Sequence, residues 1–274
     1  MGRLGAPHDE TDRSRPATTE GVPMTQTYEE RGGGTVPDAG AHPLDNPAYA
    51  ALTGPHAHFA ERSGRVLRYG PDVSPWLALP DDFTAEEWPD LAAFAAADGT
   101  VPVPGIRLDL PDDWEATFDM PGVQLVDDGV DAAHDAEAVR LSETDVPEML
   151  DLVARTQPGP FEARTIELGT YLGIRRDGVL AAMAGERLHP PGFTEISAVC
   201  TDPAFRGQGL AGRLVRAVAA GIRERGETPF LHTSAHNTDA IRLYEALGFR
   251  LRRTTRFRTV RVPAAVQPSR DASL

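Results

Sequence analysis

The segment Val199-Cys-Thr-Asp-Pro-Ala-Phe-Arg-Gly-Gln-Gly-Leu-Ala211 runs from strand-forming residues, through a turn punctuated by Gly207 and Gly209, into a helix-forming run. Glycines spaced this way clear side chains from a place where consecutive backbone N–H groups can converge on an anion, and the positive end of the following helix favours the same charge. Arg206 at the mouth adds a charge-assisted donor. A glycine turn ahead of a helix is by itself most often structural, so the weight falls on the residues downstream of it. Pro229 to Thr233 has the length and apolar character of a buried strand, and Asn237-Thr-Asp-Ala-Ile-Arg-Leu-Tyr-Glu-Ala-Leu-Gly-Phe249 reads as a helix capped by Asn237 and stopped at Gly248.

Taken together, Arg206-Gly-Gln-Gly209-Leu-Ala211 and Asn237-x-x-Ala240-x-x-Leu-Tyr244-x-x-x-Gly248-Phe249 closely resemble the two signature motifs of the GNAT superfamily of acetyl-CoA-dependent N-acetyltransferases. The Val-Cys-Thr-x-Pro wording that begins at Val199 is most similar to its glycine N-acyltransferase-like branch. The resemblance implies an α/β (α+β) GNAT fold, a mixed and mostly antiparallel sheet flanked by helices. It implies acetyl-CoA as co-substrate, with its diphosphate on the N–H groups of Gly207, Gln208, Gly209 and Ala211 beside Arg206. The pantetheine arm would pair along Val199 and Thr201, where the family splays its sheet, and Asn237 would add a hydrogen bond to it. Tyr244 matches the general acid that protonates the CoA sulfur. Glu195, in the strand before the cradle, matches the carboxylate that deprotonates the amine. The residues alone leave plainer roles open: Tyr244 as a core tyrosine, Glu195 as an exposed strand charge, Asn237 as a helix cap. Strand alternation is expected to put Glu195, Ser197 and Val199 on one face. Phe161, Arg164 and Thr165 are candidates for the acceptor site, where Arg164 can pair a substrate carboxylate.

At 274 residues the chain exceeds one typical domain. Residues 1–40 lack apolar periodicity and read as a disordered tail, with Met24 an alternative initiator. Residues 41–126 are expected to form a divergent N-terminal α/β domain, 127–136 an acidic linker, 137–262 the GNAT domain and 263–274 a C-terminal tail. Asp109 to Asp151 holds fourteen acidic residues against Arg140 alone, which reads as hydrated surface. Arg250 to Val262 suits a single long strand where such families end with two, so the N-terminal unit is expected to complete the sheet edge.

A formal net charge of −14 argues against nucleic acid and anionic membrane as partners. All 27 basic residues are arginine, so Schiff-base chemistry and a lysine-bearing phosphate loop are excluded. Cys200 is the only cysteine; it allows no intrachain disulfide, suits a cytoplasmic location, and reads as a small buried residue rather than an acyl carrier. His232 and His236 lie in a strand and a loop, not on one helix face, and no metal is expected. The chemistry points to transfer of an acetyl group from acetyl-CoA to a primary amine of a small molecule or amino acid, by direct attack in a ternary complex. The alternative is a CoA-binding sensor or interaction module; Glu195 and Tyr244 favour the enzyme, since a binder requires neither. A homodimer is left open.

Overall fold

A computed structural model describes residues 42–103, 105, 109–264 and 266. The expected tail over 1–40, with Met24, and residues 267–274 of the expected C-terminal tail lie outside them. In chain order the described elements are α1 (Pro47–Leu52), β1 (Ala60–Ser63), β2 (Val66–Tyr69), β3 (Leu77–Ala78), α2 (Trp88–Ala92), β4 (Thr100–Pro102), β5 (Glu115–Asp127), β6 (Val139–Arg140), α3 (Val146–Thr156), β7 (Tyr171–Arg176), β8 (Val179–Glu186), β9 (Phe193–Thr201), α4 (Leu210–Glu224), β10 (Thr228–Ser234), α5 (Thr238–Leu247) and β11 (Phe249–Arg261).

Local chemistry accounts for most of these boundaries. Thr84 and Glu87 form a reciprocal capping box ahead of α2, and Ser142 with Asp145 does the same ahead of α3. Asp177 and Gly178, both at positive φ, make the two-residue turn that joins β7 to β8. Helix α5 has Asn237 as its cap, with Oδ1 accepting from Ala240 N at 3.2 Å, and it ends at Gly248 in the left-handed region.

The main sheet has eight strands in the order β4-β11-β5-β10-β9-β8-β7-β6. Every neighbouring pair is antiparallel except β9 and β10, which run parallel because α4 carries the chain across between them. Helices α4 and α5 pack on one face, where Leu214, Val218 and Ile222 meet Ile196, Ile241 and Tyr244. On the other face, α3 sets Met149 and Leu152 against Tyr171 and Cys200, while α1 and the small sheet β1-β2-β3 bring Leu52, Tyr69 and Trp76 onto Val126 and Phe230.

The expected boundary at residue 126 is not kept. It falls inside β5, which lies between β10 and β11: Val126 pairs with Phe230 on one side and Arg250 on the other. A thirteen-residue β11 needs a long partner, and β5 has the same length. The strand that the C-terminal run does not supply therefore comes from earlier in the chain, in the interior of the sheet, and β4 covers the outer edge of β11. Residues 41–126 and 137–262 thus share one sheet within a single compact unit. The expected acidic linker is also tied down. Asp127, Asp131 and Asp135 pair with Arg223, Arg216 and Arg213 along the outer face of α4.

A fragment beginning at residue 135 lacks β5 and would leave β10 and β11 with open edges. It is expected to be insoluble, or to show no cooperative thermal transition, on expression and calorimetry; a soluble fragment that melts cooperatively would show that β5 is dispensable.

Candidate active site

β9 and β10 pair only from Phe193 to Ile196 against Thr228 to Leu231, and beyond that register they part. On its other edge β9 stays paired with β8 as far as Thr201. The parting coincides with a bulge. Ser197 pairs with Gly185 and Cys200 with Met183, so Ala198 and Val199 together oppose Ala184. Ala198 is held at φ +52°, a left-handed conformation that costs a non-glycine residue roughly 1 kcal/mol or more. The fork opens a cleft of about 1030 Å³. Along it, the β9 backbone edge that would face β10 has no strand partner among the described residues, which suits an extended ligand that adds as a strand.

At the end of β9 the chain enters the glycine turn. Gly207 and Gly209 adopt φ +80° and +70°, and no atom lies within 4 Å of where a Cβ would stand at either. The space beside both is open, and both backbone conformations favour glycine. Gly209 caps α4 without a side chain. The N–H groups from Gly207 to Ala211 donate to no atom among the described residues. Free N–H groups at a helix start, with Arg206 beside them on the cleft wall, are chemically suited to an anion.

The structure brings most of the expected site residues together. Val199, Thr201, Arg206, Gly207, Gly209, Ala211, Asn237 and Tyr244 all line the cleft; Gln208 is exposed in the turn and does not. The Asn237 oxygen is used in capping α5, which leaves its amide nitrogen for another partner. Tyr244 is 7 % exposed, and burial, with Cys200 nearby, pushes its hydroxyl up to about 12, so it is a protonated donor at neutral pH. Cys200 is buried and its thiol is raised to about 11 by the same cause, which keeps it from acting as a thiolate.

Five residues depart from what was expected of them. Glu195 has no solvent exposure and does not line the cleft. Its Oε2 accepts from Arg187 Nε at 2.9 Å, and its Oε1 from Arg187 Nη2 and His232 Nδ1 at 2.7 Å each. Burial alone would raise this carboxyl, but the paired guanidinium and the ring N–H hold it down to about 2. Nor does Val199 share its face, because the bulge reverses the alternation: Val199 packs with the α4-side core and Cys200 with the α3-side core. Phe161 is buried against Tyr171, and Thr165 donates to Val73 O at 2.7 Å. Arg164 is spent on Glu167 and Asp72. None of these three lines the cleft; the preceding turn, Pro158 to Pro160, does.

Arg187, His232, Trp76 and Phe257 are cleft residues that the sequence did not single out for this purpose. Arg187 stacks over Trp76 at 4.6 Å from the ring centroid. His232 donates to Glu195 through Nδ1 and accepts at Nε2 from Gln124 at 3.0 Å. A basic residue a few positions before Glu195, on the neighbouring strand end, was the available signal for Arg187. No signal existed for Trp76, which reaches the site from more than 100 residues earlier in the chain.

Residues 171–258, from the start of β7 to within β11, match the model of the FR47-like protein family. The N-alpha-acetyltransferase RimI of Mycobacterium tuberculosis is 32 % identical over 121 residues, which cover 42 % of this chain and 73 % of that protein. A mycothiol acetyltransferase of Thermomonospora curvata is 36 % identical over 82 residues, but these span only 27 % of its length and 30 % of this chain. A crystal structure of a GNAT-family protein from Novosphingobium aromaticivorans superposes with a TM-score of 0.74 at 40 % identity, covering 80 % of this chain and 98 % of that one. The forked sheet, the N–H cradle and these likenesses agree: the chain belongs to the GNAT family and is an acetyltransferase.

Proposed function

We propose that the protein transfers an acetyl group from acetyl-CoA to a primary amine by direct attack, with the cofactor half of the cleft built from the fork and the glycine turn. The observation that carries this reading is the edge of β9, unpartnered among the described residues, leading through a short turn to the N–H groups of Gly207 to Ala211, which donate to no described atom. The diphosphate would sit on those groups beside Arg206, and the pantetheine arm would extend β9 along Val199 and Thr201, with the Asn237 amide nitrogen in reach. A β9 N–H at the fork would polarise the thioester carbonyl.

The amine nitrogen bonds to the thioester carbon, the tetrahedral oxyanion collapses, the C–S bond breaks, and the thiolate takes its proton from Tyr244. Glu195 is not the base in this reading. It stays ionised across the physiological range, behind the cleft wall, and its part is to hold Arg187 and His232 in place. The amine proton leaves through the solvent of the open cleft, and Tyr244 regains its proton from the same solvent. A place in the glycine N-acyltransferase-like branch is supported only by the wording Val199-Cys-Thr-Asp-Pro203.

Gly209→Glu is expected to weaken CoA binding by about a hundredfold or more in calorimetry, since it places negative charge where the diphosphate belongs. Gly209→Ala serves as the control: it meets no atom within 4 Å and adds only the cost of a left-handed alanine, roughly 1–2 kcal/mol. Equal affinities for the two variants would remove the cradle from the mechanism. Tyr244→Phe should lower kcat by about ten- to a thousandfold with acetyl-CoA affinity nearly unchanged. Because its hydroxyl stays protonated to about 12, the wild-type rate should show no fall below pH 10 that is absent in the variant.

Glu195→Gln leaves Arg187 buried without its counter-charge and should cost about 3–5 kcal/mol of stability, read as a lower Tm, while the shape of the pH–rate profile persists. The folded carboxyl is depressed to about 2 from 4.5, so its stabilising contribution is present above the unfolded value and is lost as pH falls towards 2. A profile that flattens in this variant would return Glu195 to the role of base.

A further inference from the structure

The half of the cleft beyond the fork has a wall of its own. Trp76 precedes β3, Phe118 and Met120 come from β5, and Phe257 comes from β11. The Trp76 ring lies 6.0 Å from that of His232 and 6.3 Å from that of Phe257, centroid to centroid. Phe118 is 47 % exposed, an unusual fraction for a large apolar side chain on a long paired strand. Trp76, Phe118 and Met120 lie outside the stretch matched by the family model, so this wall is not part of what that match accounts for.

The charged groups in this half are already balanced. Arg187 is held by both oxygens of Glu195, and Arg258 pairs with Asp119 at 3.0 Å. One polar feature is unmet. The Arg187 side chain is 8 % exposed and lines the cleft, and its Nη1 donates to no atom among the described residues. The atom keeps access to the solvent of the cleft, so a ligand carbonyl that enters can take the place of water on it. A neutral carbonyl does so with no change in the charge balance. A carboxylate would bring a second anion beside Glu195, to be shared with a guanidinium that Glu195 already neutralises.

Resting on the transfer reading above, we infer that the acceptor is a primary amine carrying an apolar side group and a neutral carbonyl close to the amine, an amide and not the free acid. The apolar group lies against Trp76, Phe118, Met120 and Phe257, and the carbonyl accepts from Arg187. The net charge of −14 acts in the same direction, because an amino amide approaches as a cation whereas a free amino acid approaches as a neutral zwitterion.

The test is calorimetry of the full-length protein saturated with CoA, titrated with phenylalaninamide, glycinamide, phenylalanine and phenethylamine, together with thiol release from acetyl-CoA on the same panel. Phenylalaninamide should bind at least about tenfold more tightly than glycinamide, from burial of its ring, and several-fold more tightly than phenethylamine or phenylalanine. Phe118→Ala, at an exposed position that the fold tolerates, should narrow the gap between phenylalaninamide and glycinamide with no change in CoA affinity. Glycinamide or phenylalanine binding as tightly as phenylalaninamide overturns the assignment. Binding in the expected order without thiol release would keep the acceptor class and sink the transfer reading; thiol release with the order reversed would do the opposite.

Discussion

Glu195 carries a full negative charge at a position with no solvent exposure, and the middle of the molecule is arranged around satisfying it. An isolated carboxylate there would be prohibitively costly. Arg187 meets it with two hydrogen bonds, His232 with a third, and the chain of contacts continues outwards: Gln124 donates to His232 Nε2, Arg252 donates to Gln124 Oε1 at 2.9 Å, and Asp45 pairs with Arg252 at 2.7 Å. Because the imidazole accepts at Nε2, its proton sits on Nδ1 and points at the carboxylate. Gln124, 1 % exposed, also donates to Leu44 O at 2.9 Å, so both of its ends are satisfied. This one network joins β9, β10, β5, β11 and the N-terminal segment. It explains why residues before 126 cannot be lifted away from the sheet as a separate body.

The same network shapes the cleft. Arg187 is fixed by Glu195 and lies over Trp76, and that stack sets one end of the acceptor wall. At the other end the fork depends on two departures from regular backbone. The bulge at Ala198 turns β9 away from β10, and the left-handed glycines at 207 and 209 let the chain enter α4 with its first N–H groups bonded to no atom among the described residues. Buried charge holds one half of the site and backbone conformation holds the other, so the chemistry sits on strands and a helix start rather than on a mobile loop.

The surface follows a complementary logic. An acidic run beside an arginine-rich helix face becomes a strap, with Asp127, Asp131 and Asp135 each meeting an arginine of α4. The basic strand β11 likewise lies against acidic neighbours, with Arg256 and Arg258 on Asp119 and Arg250 on Asp128. Surface pairs of this kind, most with one partner still in solvent, contribute little each. Their regular spacing fixes how these segments lie more than how strongly they are held.

Elements with local causes were legible in the amino-acid order alone. The glycines at 207 and 209, the Asn237 cap, the stop at Gly248 and the Asp177-Gly178 turn all act within a few residues, and so the cradle and the Tyr244 helix could be read directly from the chain. Long-range packing settled the rest. Whether Glu195 reached the cleft depended on Arg187 and His232 arriving from β8 and β10, and period-two alternation failed at Ala198 because a bulge has no sequence signature in an otherwise ordinary strand. The domain boundary failed for a similar reason: β5 finds its partners more than 100 residues later, and pairing across that distance leaves no local mark in the chain. The acceptor wall, drawn from residues 76, 118, 120 and 257, exists only because that pairing brings them to one place.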